Sequence, residues 1–293
     1  MTDFLQQVVQ GLGSGAIYAS LALALALIYR FTGIVNLAQG EMAMFSTYIA
    51  WQLVDAGMSF WLALPLTLVI SFAGGALIER VVIRPVEGAP ELTIVIVTVG
   101  MFVFVNAAAG FIWSFLIKDF PNPFPGGALN LGGVQLGFGT LGILVVVAVV
   151  MGVLYLLFQH TKIGLGMRAV SGDPASARLS GIRVGRMLAL GWGLAATVGA
   201  LSGVLVAPLL FLEPNMMSGV LIYAFAAATL GGFDSPVGVV IGGLIVGVAE
   251  TLAGAYVGFI GSDLKVGVPL VIILAVLLLR PQGLLGRPTV ERA

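Results

Sequence analysis

Long apolar runs separated by short polar segments dominate this chain of 293 residues. A helix needs about 20 apolar residues to cross the hydrocarbon core of a bilayer. Five apolar runs meet that length: 8–29, 60–78, 92–117, 138–158 and 187–211. The pattern therefore predicts five transmembrane helices over these segments.

Three further apolar regions are less regular. Residues 34–53 carry polar side chains at one end, and residues 264–280 form a short last run. Residues 217–256 are long enough for two crossings, but a polar break at 231–236 interrupts them. Together the runs predict an all-α integral membrane bundle of eight or nine transmembrane helices, some of them broken, in a single domain over residues 1–293.

The composition excludes several classes of protein. Hydrophobic residues make up 59% of the chain and charged residues 9%, against roughly 25% charged residues in a soluble domain. A water-soluble fold cannot bury that much apolar surface, so a soluble protein is excluded. The absence of cysteine rules out disulfides and thiolate metal sites. The formal net charge is zero, so there is no electrostatic case for binding nucleic acid. The single histidine, His160, has no cysteine or histidine companion with which to hold a metal.

Basic residues are distributed very unevenly among the predicted loops. Cytoplasmic loops of membrane proteins carry an excess of lysine and arginine. One side of the membrane receives 11 of the 13 basic residues, namely Arg30, Arg80, Arg84, the five within residues 159–186, Arg280, Arg287 and Arg292. Only Lys118 and Lys265 fall on the other side. This bias predicts a cytoplasmic C-terminus and places the loop 118–137 outside, and the parity of the early spans then puts the N-terminus outside as well.

Residues 159–186, which we call the basic loop, form the one extended polar segment of the chain. The five basic residues of this loop are Lys162, Arg168, Arg178, Arg183 and Arg186. Asp173 suits a helix N-cap, Pro174 suits the first helical position, and Gly181 suits a left-handed helix stop. The basic loop is therefore predicted to contain a short helix over 174–180, on the cytoplasmic side, that presents a surface to a partner.

Small residues recur at helical spacing in three apolar runs. They are Gly191, Ala195, Gly199 and Gly203 after the basic loop, Gly11, Gly15 and Ala19 in the first run, and Gly243 and Gly247 near the end. Such stripes let neighbouring helices approach closely in lipid. Close helix packing is the first interpretation of each stripe. The stripe next to the basic loop would also let its helix transmit a movement of that loop to the neighbouring helices.

Polar residues at membrane depth are expensive and often functional. The residues expected to line a substrate pathway are Asn36, Gln39, Glu41, Asn106, Asp234 and Glu250. Two polar breaks, 36–41 and 231–236, each precede an apolar helix that Asn36 or Asp234 is suited to cap. Paired breaks in two halves of a chain indicate a transport pathway. Two alternatives stay open: both breaks are interfacial loops, or Glu250 makes a structural hydrogen bond.

The chain lacks the lysine that a nucleotide-binding P-loop requires. A P-loop places Gly-Lys-Ser/Thr around the phosphates, and none of the three lysines here follows a glycine. No nucleophile and base are arranged for catalysis either. The chain is therefore expected not to be an enzyme, and if its transport is driven by ATP, the ATP and Mg²⁺ must bind on another subunit.

Several stretches resemble the permeases of high-affinity branched-chain amino-acid ABC importers. They are 33–41 (GIVNLAQGE), 78–86 (IERVVIRPV), 168–182 (RAVSGDPASARLSGI) and 230–238 (LGGFDSPVG), and the tail 283–291 (GLLGRPTVE) is similar to the H-type subunit. The motifs keep their order along nearly the whole chain. Gln39 departs from the histidine common in relatives, and Phe233–Asp234 departs from a small residue.

This resemblance implies a multi-pass subunit of the bacterial cytoplasmic membrane. Its implied partners are a second related permease, two cytoplasmic ATPase subunits, an extracytoplasmic substrate-binding protein and the surrounding lipid. The helix 174–180 would then be the coupling helix that contacts an ATPase subunit. On this basis the residues expected to serve coupling are Arg168, Asp173, Pro174, Ala177, Arg178, Gly181 and Arg183. The chain itself would carry no cofactor and no metal.

Alternative functions remain at this stage. The same type of importer could take urea, short amides or small organic or aromatic acids. An ion-coupled secondary transporter would use Glu41 and Glu250 as its intramembrane carboxylates. Whether the two permeases are identical or merely related is also open from the sequence.

Overall fold

The structure, a computed structural model, describes residues 2–124, 126–258, 260–261 and 264–286. Its helices are α1 Thr2–Thr32, α2 Gln39–Asp55, α3 Phe60–Ile78, α4 Glu91–Trp113, α5 Phe138–His160, α6 Lys162–Gly172, α7 Pro174–Leu179, α8 Val184–Leu210, α9 Met216–Gly231, α10 Pro236–Tyr256 and α11 Gly267–Leu279. Two short strands, β1 Ala128–Leu131 and β2 Val134–Gly137, form an antiparallel hairpin. Arg287, Arg292 and the end of the 283–291 motif lie outside the described residues.

Helices dominate the described chain, which confirms the predicted all-α membrane class. Six helical segments in this part of the chain are long and apolar enough to cross a membrane: Thr2–Thr32, Phe60–Val86, Glu91–Trp113, Phe138–His160, Val184–Leu210 and Pro236–Tyr256. The helices Met216–Gly231 and Gly267–Leu279 are apolar but shorter. The total of eight or nine crossings stays a prediction.

The described residues form two compact units that are interleaved along the chain. The first unit takes its residues from 1–26, 124–148 and 219–293, and the second from 27–123 and 149–218. Each unit is therefore assembled from segments that are distant in sequence. The single domain predicted over residues 1–293 stays a prediction.

In the second unit, α8 packs against α2 and α3 through small residues. A Cβ atom on Gly203 would lie 2.7 Å from the Ala43 carbonyl oxygen, and one on Gly75 would lie 2.6 Å from the Trp192 carbonyl oxygen. Gly191 lies against the ring of Phe31 in the same close manner. The small-residue stripe of α8 is thus confirmed as a helix-packing face, because side chains there would push the helices apart.

In the first unit, α1 packs against α10 with the backbones in near contact. A Cβ atom on Gly15 would lie 2.7 Å from the Gly243 carbonyl oxygen and 2.8 Å from the Leu244 Cα. One on Gly243 would lie 2.6 Å from the Ala19 Cα. The stripe predicted in the first apolar run and the stripe of Gly243 and Gly247 are therefore one shared interface.

The break at 231–236 is a turn between α9 and α10. Gly242 lies against the Ala227 carbonyl and Gly231 against Gly238, so the two helices fold back on each other. The described part of the tail closes over this turn, since the Leu284 N–H donates to the Leu230 carbonyl at 2.7 Å.

Neither polar break is capped by the residue that the sequence favoured. Ser235, and not Asp234, caps α10, because its hydroxyl accepts from the Gly238 N–H at 3.1 Å. At the other break Asn36 accepts from the Ala38 N–H at 3.0 Å, ahead of α2, whose N-cap residue makes no side-chain bond. Both capping predictions are corrected here.

Contacts in the second unit place three basic segments at one end. The Ser171 hydroxyl donates to the Arg30 carbonyl at 2.8 Å, and the Arg84 guanidinium donates to the Gly185 carbonyl at 2.7 Å. Arg30, Arg84 and the basic loop therefore share an end of this unit, as the charge bias requires. The side of the membrane on which that end and the C-terminus lie stays a prediction.

Candidate functional site

The basic loop contains the predicted short helix with its predicted signals. The Asp173 carboxylate accepts from the Ala175 N–H at 2.9 Å and from the Ser176 N–H at 3.3 Å, and Pro174 is the first helical residue. The hydrogen bond from the Ser176 hydroxyl, followed by those backbone bonds, holds the pKa of Asp173 below its usual range. The cap is therefore intact at neutral pH and is lost only as the pH falls through that lowered pKa.

The same helix ends in a Schellman motif. The Ile182 N–H donates to the Ala177 carbonyl and the Gly181 N–H to the Arg178 carbonyl, both at 3.0 Å. Gly181 has a φ of 79°, in the left-handed region that favours glycine. Both ends of α7 are thus defined by local interactions, which makes it a discrete helix.

The faces of α7 differ in what they offer a partner. Ala177 is only 4% exposed and packs against its own chain, whereas Leu179 is 91% exposed. Arg178 pairs with Glu87 at 3.6 Å, and both side chains are partly open to solvent. Leu179 was not among the predicted residues, although the sequence shows an apolar side chain at the end of the predicted short helix.

The two other basic residues expected to serve coupling have different surroundings. Arg168 donates to the Gln159 side chain at 2.8 Å and is half-buried on α6, so it holds the basic loop together. Arg183 is exposed at the N-cap of α8. Of these two arginines, Arg183 is the one available to a partner.

Glu41 and Asn106 meet at a junction of three segments in the second unit. The Asn106 side-chain amide lies 3.2 Å from a Glu41 carboxylate oxygen, 3.0 Å from the Pro214 carbonyl and 3.1 Å from the Asn215 side-chain oxygen. Glu41 is 1% exposed. Asn215 was not among the predicted residues, although Glu213-Pro214-Asn215 is a third polar break between apolar runs.

Asn36 and Gln39 lie together at the start of α2. The Asn36 amide donates to the Gln39 side-chain oxygen at 3.3 Å, and the Gln39 amide donates to the Ala195 carbonyl of α8 at 3.0 Å. Both residues are buried. Asn36 borders a cavity of about 210 Å³, whereas Gln39 and Glu41 are held in helix packing. The assignment of Asn36, Gln39 and Glu41 to a substrate pathway stays a prediction.

Asp234 and Glu250 belong to the first unit. Asp234 is exposed in the turn before α10. Glu250 accepts a hydrogen bond from the Tyr18 hydroxyl at 2.7 Å, and the Tyr18 and Tyr223 rings stack with centroids 4.5 Å apart. The sequence left open a structural hydrogen bond for Glu250, and the structure contains such a bond, with Tyr18 as the partner. No sequence pattern pointed to either tyrosine, because Tyr18 and Glu250 are 232 positions apart.

Among the described residues, no group of three or more His, Cys, Asp or Glu side chains is placed to hold a metal ion. The chemistry that the described polar groups support is hydrogen bonding and ion pairing.

Comparisons with known proteins agree with this description. The family model "Branched-chain amino acid transport system / permease component" matches residues 7–277. The chain is 34% identical to the high-affinity branched-chain amino acid transport system permease protein BraD of Pseudomonas aeruginosa, over 99% of this chain and 98% of that protein. It is 32% identical to the permease protein LivH of Salmonella typhimurium, over 99% of this chain and 97% of that protein.

One solved structure is similar in fold. It is described as PsaBC from Streptococcus pneumoniae in complex with Fab, and it superposes with a TM-score of 0.50 at 14% sequence identity. The match covers 95% of this chain and 92% of that chain. At this identity the similarity concerns the fold alone.

Proposed function

The chain belongs to the branched-chain amino acid transport permease family, and from this membership we propose that it is the membrane subunit of an ATP-driven importer. Its substrates would be branched-chain or related small amino acids. It would form half of the translocation pathway together with a second, related permease. An extracytoplasmic binding protein would deliver the substrate, and two cytoplasmic ATPase subunits would supply the energy.

The observation that carries this proposal is the structure of α7. This helix is capped at both ends, exposed on one side and embedded in the basic loop. A helix that is defined by its own caps keeps its shape when a partner pushes on it. Because the chain has no P-loop lysine, ATP would have to be hydrolysed on another subunit, and α7 would be the surface that this subunit contacts.

The polar residues at membrane depth are proposed to line or support the pathway. In the second unit these are Asn36, Gln39, Glu41 and Asn106, and in the first unit Asp234 and Glu250. Asp234 is exposed in a turn, whereas the other five are hydrogen-bonded. Hydrogen-bonded polar groups in a bilayer are retained at a cost, which is the reason to assign them to the transported substrate or to the elements that move around it.

The test is co-expression with the candidate ATPase, second permease and binding protein. The permease is expected to purify with the ATPase subunits and, in proteoliposomes, to import leucine when ATP and the binding protein are both present. A permease that purifies alone and imports leucine on an ion gradient would instead support the secondary transporter. A parallel assay with urea and benzoate separates the amino-acid importer from the alternative substrates.

Replacing Gly181 by valine is expected to uncouple transport. A β-branched residue in the left-handed region costs about 1–2 kcal/mol, which is enough to unwind the end of a six-residue helix. Uptake should fall about five-fold or more, while the amount of permease in the membrane stays unchanged. The matched control is Gly172→Val, because Gly172 lies in the same loop and a Cβ atom there meets nothing within 4 Å. Wild-type uptake in Gly181→Val would refute the assignment of α7.

Replacing Leu179 by aspartate is expected to weaken the ATPase contact. An apolar side chain that is 91% exposed gains most from burial in a partner's groove, and an aspartate there would have to be desolvated. The ATPase subunits recovered with the affinity-purified permease should fall about ten-fold. Leu165→Asp serves as the control, since Leu165 is 60% exposed on α6 of the same loop. Equal recovery with both variants would exclude Leu179 from the contact.

A further inference from the structure

Arg84 joins the end of α3 to the start of α8. Its Nε and Nη2 atoms donate to the two carboxylate oxygens of Glu79, at 3.2 and 2.7 Å. Nη2 also donates to the Gly185 carbonyl at 2.7 Å. Gly185 lies in the first turn of α8, four residues after the Gly181 stop of α7. One guanidinium therefore connects two helices at the point where the basic loop begins α8.

This connection is stronger than the nearby ion pair between Arg178 of α7 and Glu87, although the Arg84 side chain is itself 37% exposed. Glu79 is 1% exposed, and a buried carboxylate that loses its partner destabilises a protein strongly. Arg178 and Glu87, in contrast, approach only to 3.6 Å, with 64% and 37% of their side chains exposed, and such pairs contribute little. The link from Arg84 should therefore persist through a movement that breaks the Arg178–Glu87 pair.

The backbone around the pair is not a plain α-helix. Glu79–Ile83 winds as a π-helix, and Arg84–Val86 continues as a 3₁₀ turn. π-Helical turns within α-helices occur frequently at functional sites, and their hydrogen bonding is less regular than that of an α-helix. A displacement of Arg84–Val86 would therefore deform the π-helix instead of moving α3. The bond from Arg84 to Glu79 spans the π-helix, because Glu79 is its first residue and directly follows Ile78, the last residue of α3.

A displacement of α8 has a defined route onward. Gly75 of α3 lies against the Trp192 carbonyl, and the Ala195 carbonyl accepts the hydrogen bond from Gln39 at the start of α2. The cavity of about 210 Å³ lies beside this route, with Pro174, Leu188 and Arg84 among its walls. This cavity leaves room for the first residues of α7 and α8 to shift.

We propose that Glu79 and Arg84 are positioning residues for energy coupling. They make the end of α3 and the start of α8 move as one body when an ATPase subunit displaces α7. That movement then reaches Gln39 and α2 through α8. This inference rests on the proposed function, and it assigns the connection between the coupling helix and the polar residues of the second unit to one partly buried ion pair.

The test compares three variants in the complete reconstituted complex: Arg84→Gln, Glu79→Gln and the double variant with both changes. ATP hydrolysis and leucine uptake are measured in the same proteoliposomes. The double variant is decisive because it has no unpaired buried charge, yet it lacks the guanidinium that holds Gly185. We expect it to fold and to hydrolyse ATP within about two-fold of the wild-type rate, while leucine imported per ATP falls about five-fold or more. Arg80→Gln is the matched control, because Arg80 is exposed on the same π-helical turn.

The possible outcomes separate positioning from a purely structural role. Loss of complex in the single variants, with recovery of the complex but not of the coupling ratio in the double variant, supports the proposal. A double variant with the wild-type ratio overturns it, as does a parallel fall of hydrolysis and uptake. If the wild-type complex shows no ATP-driven uptake, the proposed function itself fails, and this inference fails with it.

Discussion

Replacing Gly15 by leucine is expected to leave almost no folded permease in the membrane. A Cβ atom at this position would lie 2.7 Å from the Gly243 carbonyl oxygen and 2.8 Å from the Leu244 Cα. Both are backbone atoms of α10 and cannot rotate away, so the helices must separate. Overpacking costs about 1–3 kcal/mol even where side chains can adjust, and native proteins have only about 5–15 kcal/mol in total. The yield of monodisperse protein in detergent should fall to about a tenth or less.

The control for this prediction is Gly152→Leu. Gly152 lies in the apolar helix α5, where a Cβ atom meets nothing within 4 Å. The two variants add the same side chain to a membrane helix, so they differ only in whether a neighbouring backbone occupies the space. Fluorescence-detected size-exclusion chromatography of both variants measures the difference. A wild-type elution profile for Gly15→Leu would show that α1 and α10 do not pack as described.

Hydropathy located the main helices well because the bilayer imposes their length. The run predicted at 60–78 coincides with α3. The run predicted at 138–158 begins with α5 and ends two residues before the end of that helix. The ends of α1 were less accurate, since this helix begins at Thr2 and the prediction began at residue 8. The first turns of α1 contain Asp3 and two glutamines, which hydropathy counts against a span although a helix tolerates them.

Local signals also explain a missed hairpin and a misplaced cap. Gly132 and Gly133 both have positive φ, at 63° and 95°, and they separate two short runs with alternating apolar residues. This is the glycine pair that a two-residue hairpin turn requires, so β1 and β2 were predictable. The cap of α10 was predictable as well. Pro236 is the first helical residue, which makes Ser235 the N-cap by the same reasoning that identified Asp173 before Pro174.

Long-range partners were beyond the sequence for a physical reason. The contacts of Asn106 with Glu41 and Asn215 join residues 65 and 109 positions apart. Hydropathy and spacing describe only neighbours along a helix, whereas the approach of distant helices depends on how all of their faces pack. The six pathway candidates were therefore identified only because polar side chains are energetically expensive in the bilayer. Their grouping into two units required the structure.

Replacing Asn106 by leucine is expected to destabilise the permease, and a second substitution is expected to restore the stability without restoring transport. Asn106 donates to Glu41 at 3.2 Å, and leaving this buried carboxyl group without its hydrogen-bond partner costs about 1–3 kcal/mol. The apparent midpoint of thermal unfolding in detergent should therefore fall markedly. Adding Glu41→Leu removes the orphaned carboxylate and should recover most of the loss, because an apolar pair of similar volume is often neutral.

Transport by the double variant then separates packing from participation in the pathway. If Glu41 and Asn106 serve only packing, the restored permease should import leucine at the wild-type rate with its ATPase and binding protein. Our expectation is uptake of about a tenth or less, because an apolar pair cannot hydrogen-bond a polar substrate or the Pro214 carbonyl that follows α8. The control is Gln52→Leu, which removes the hydrogen bond from the Trp113 indole at 3.0 Å. Like the bond between Glu41 and Asn106, it joins α2 to α4, so a merely structural connection between these helices should affect both variants alike.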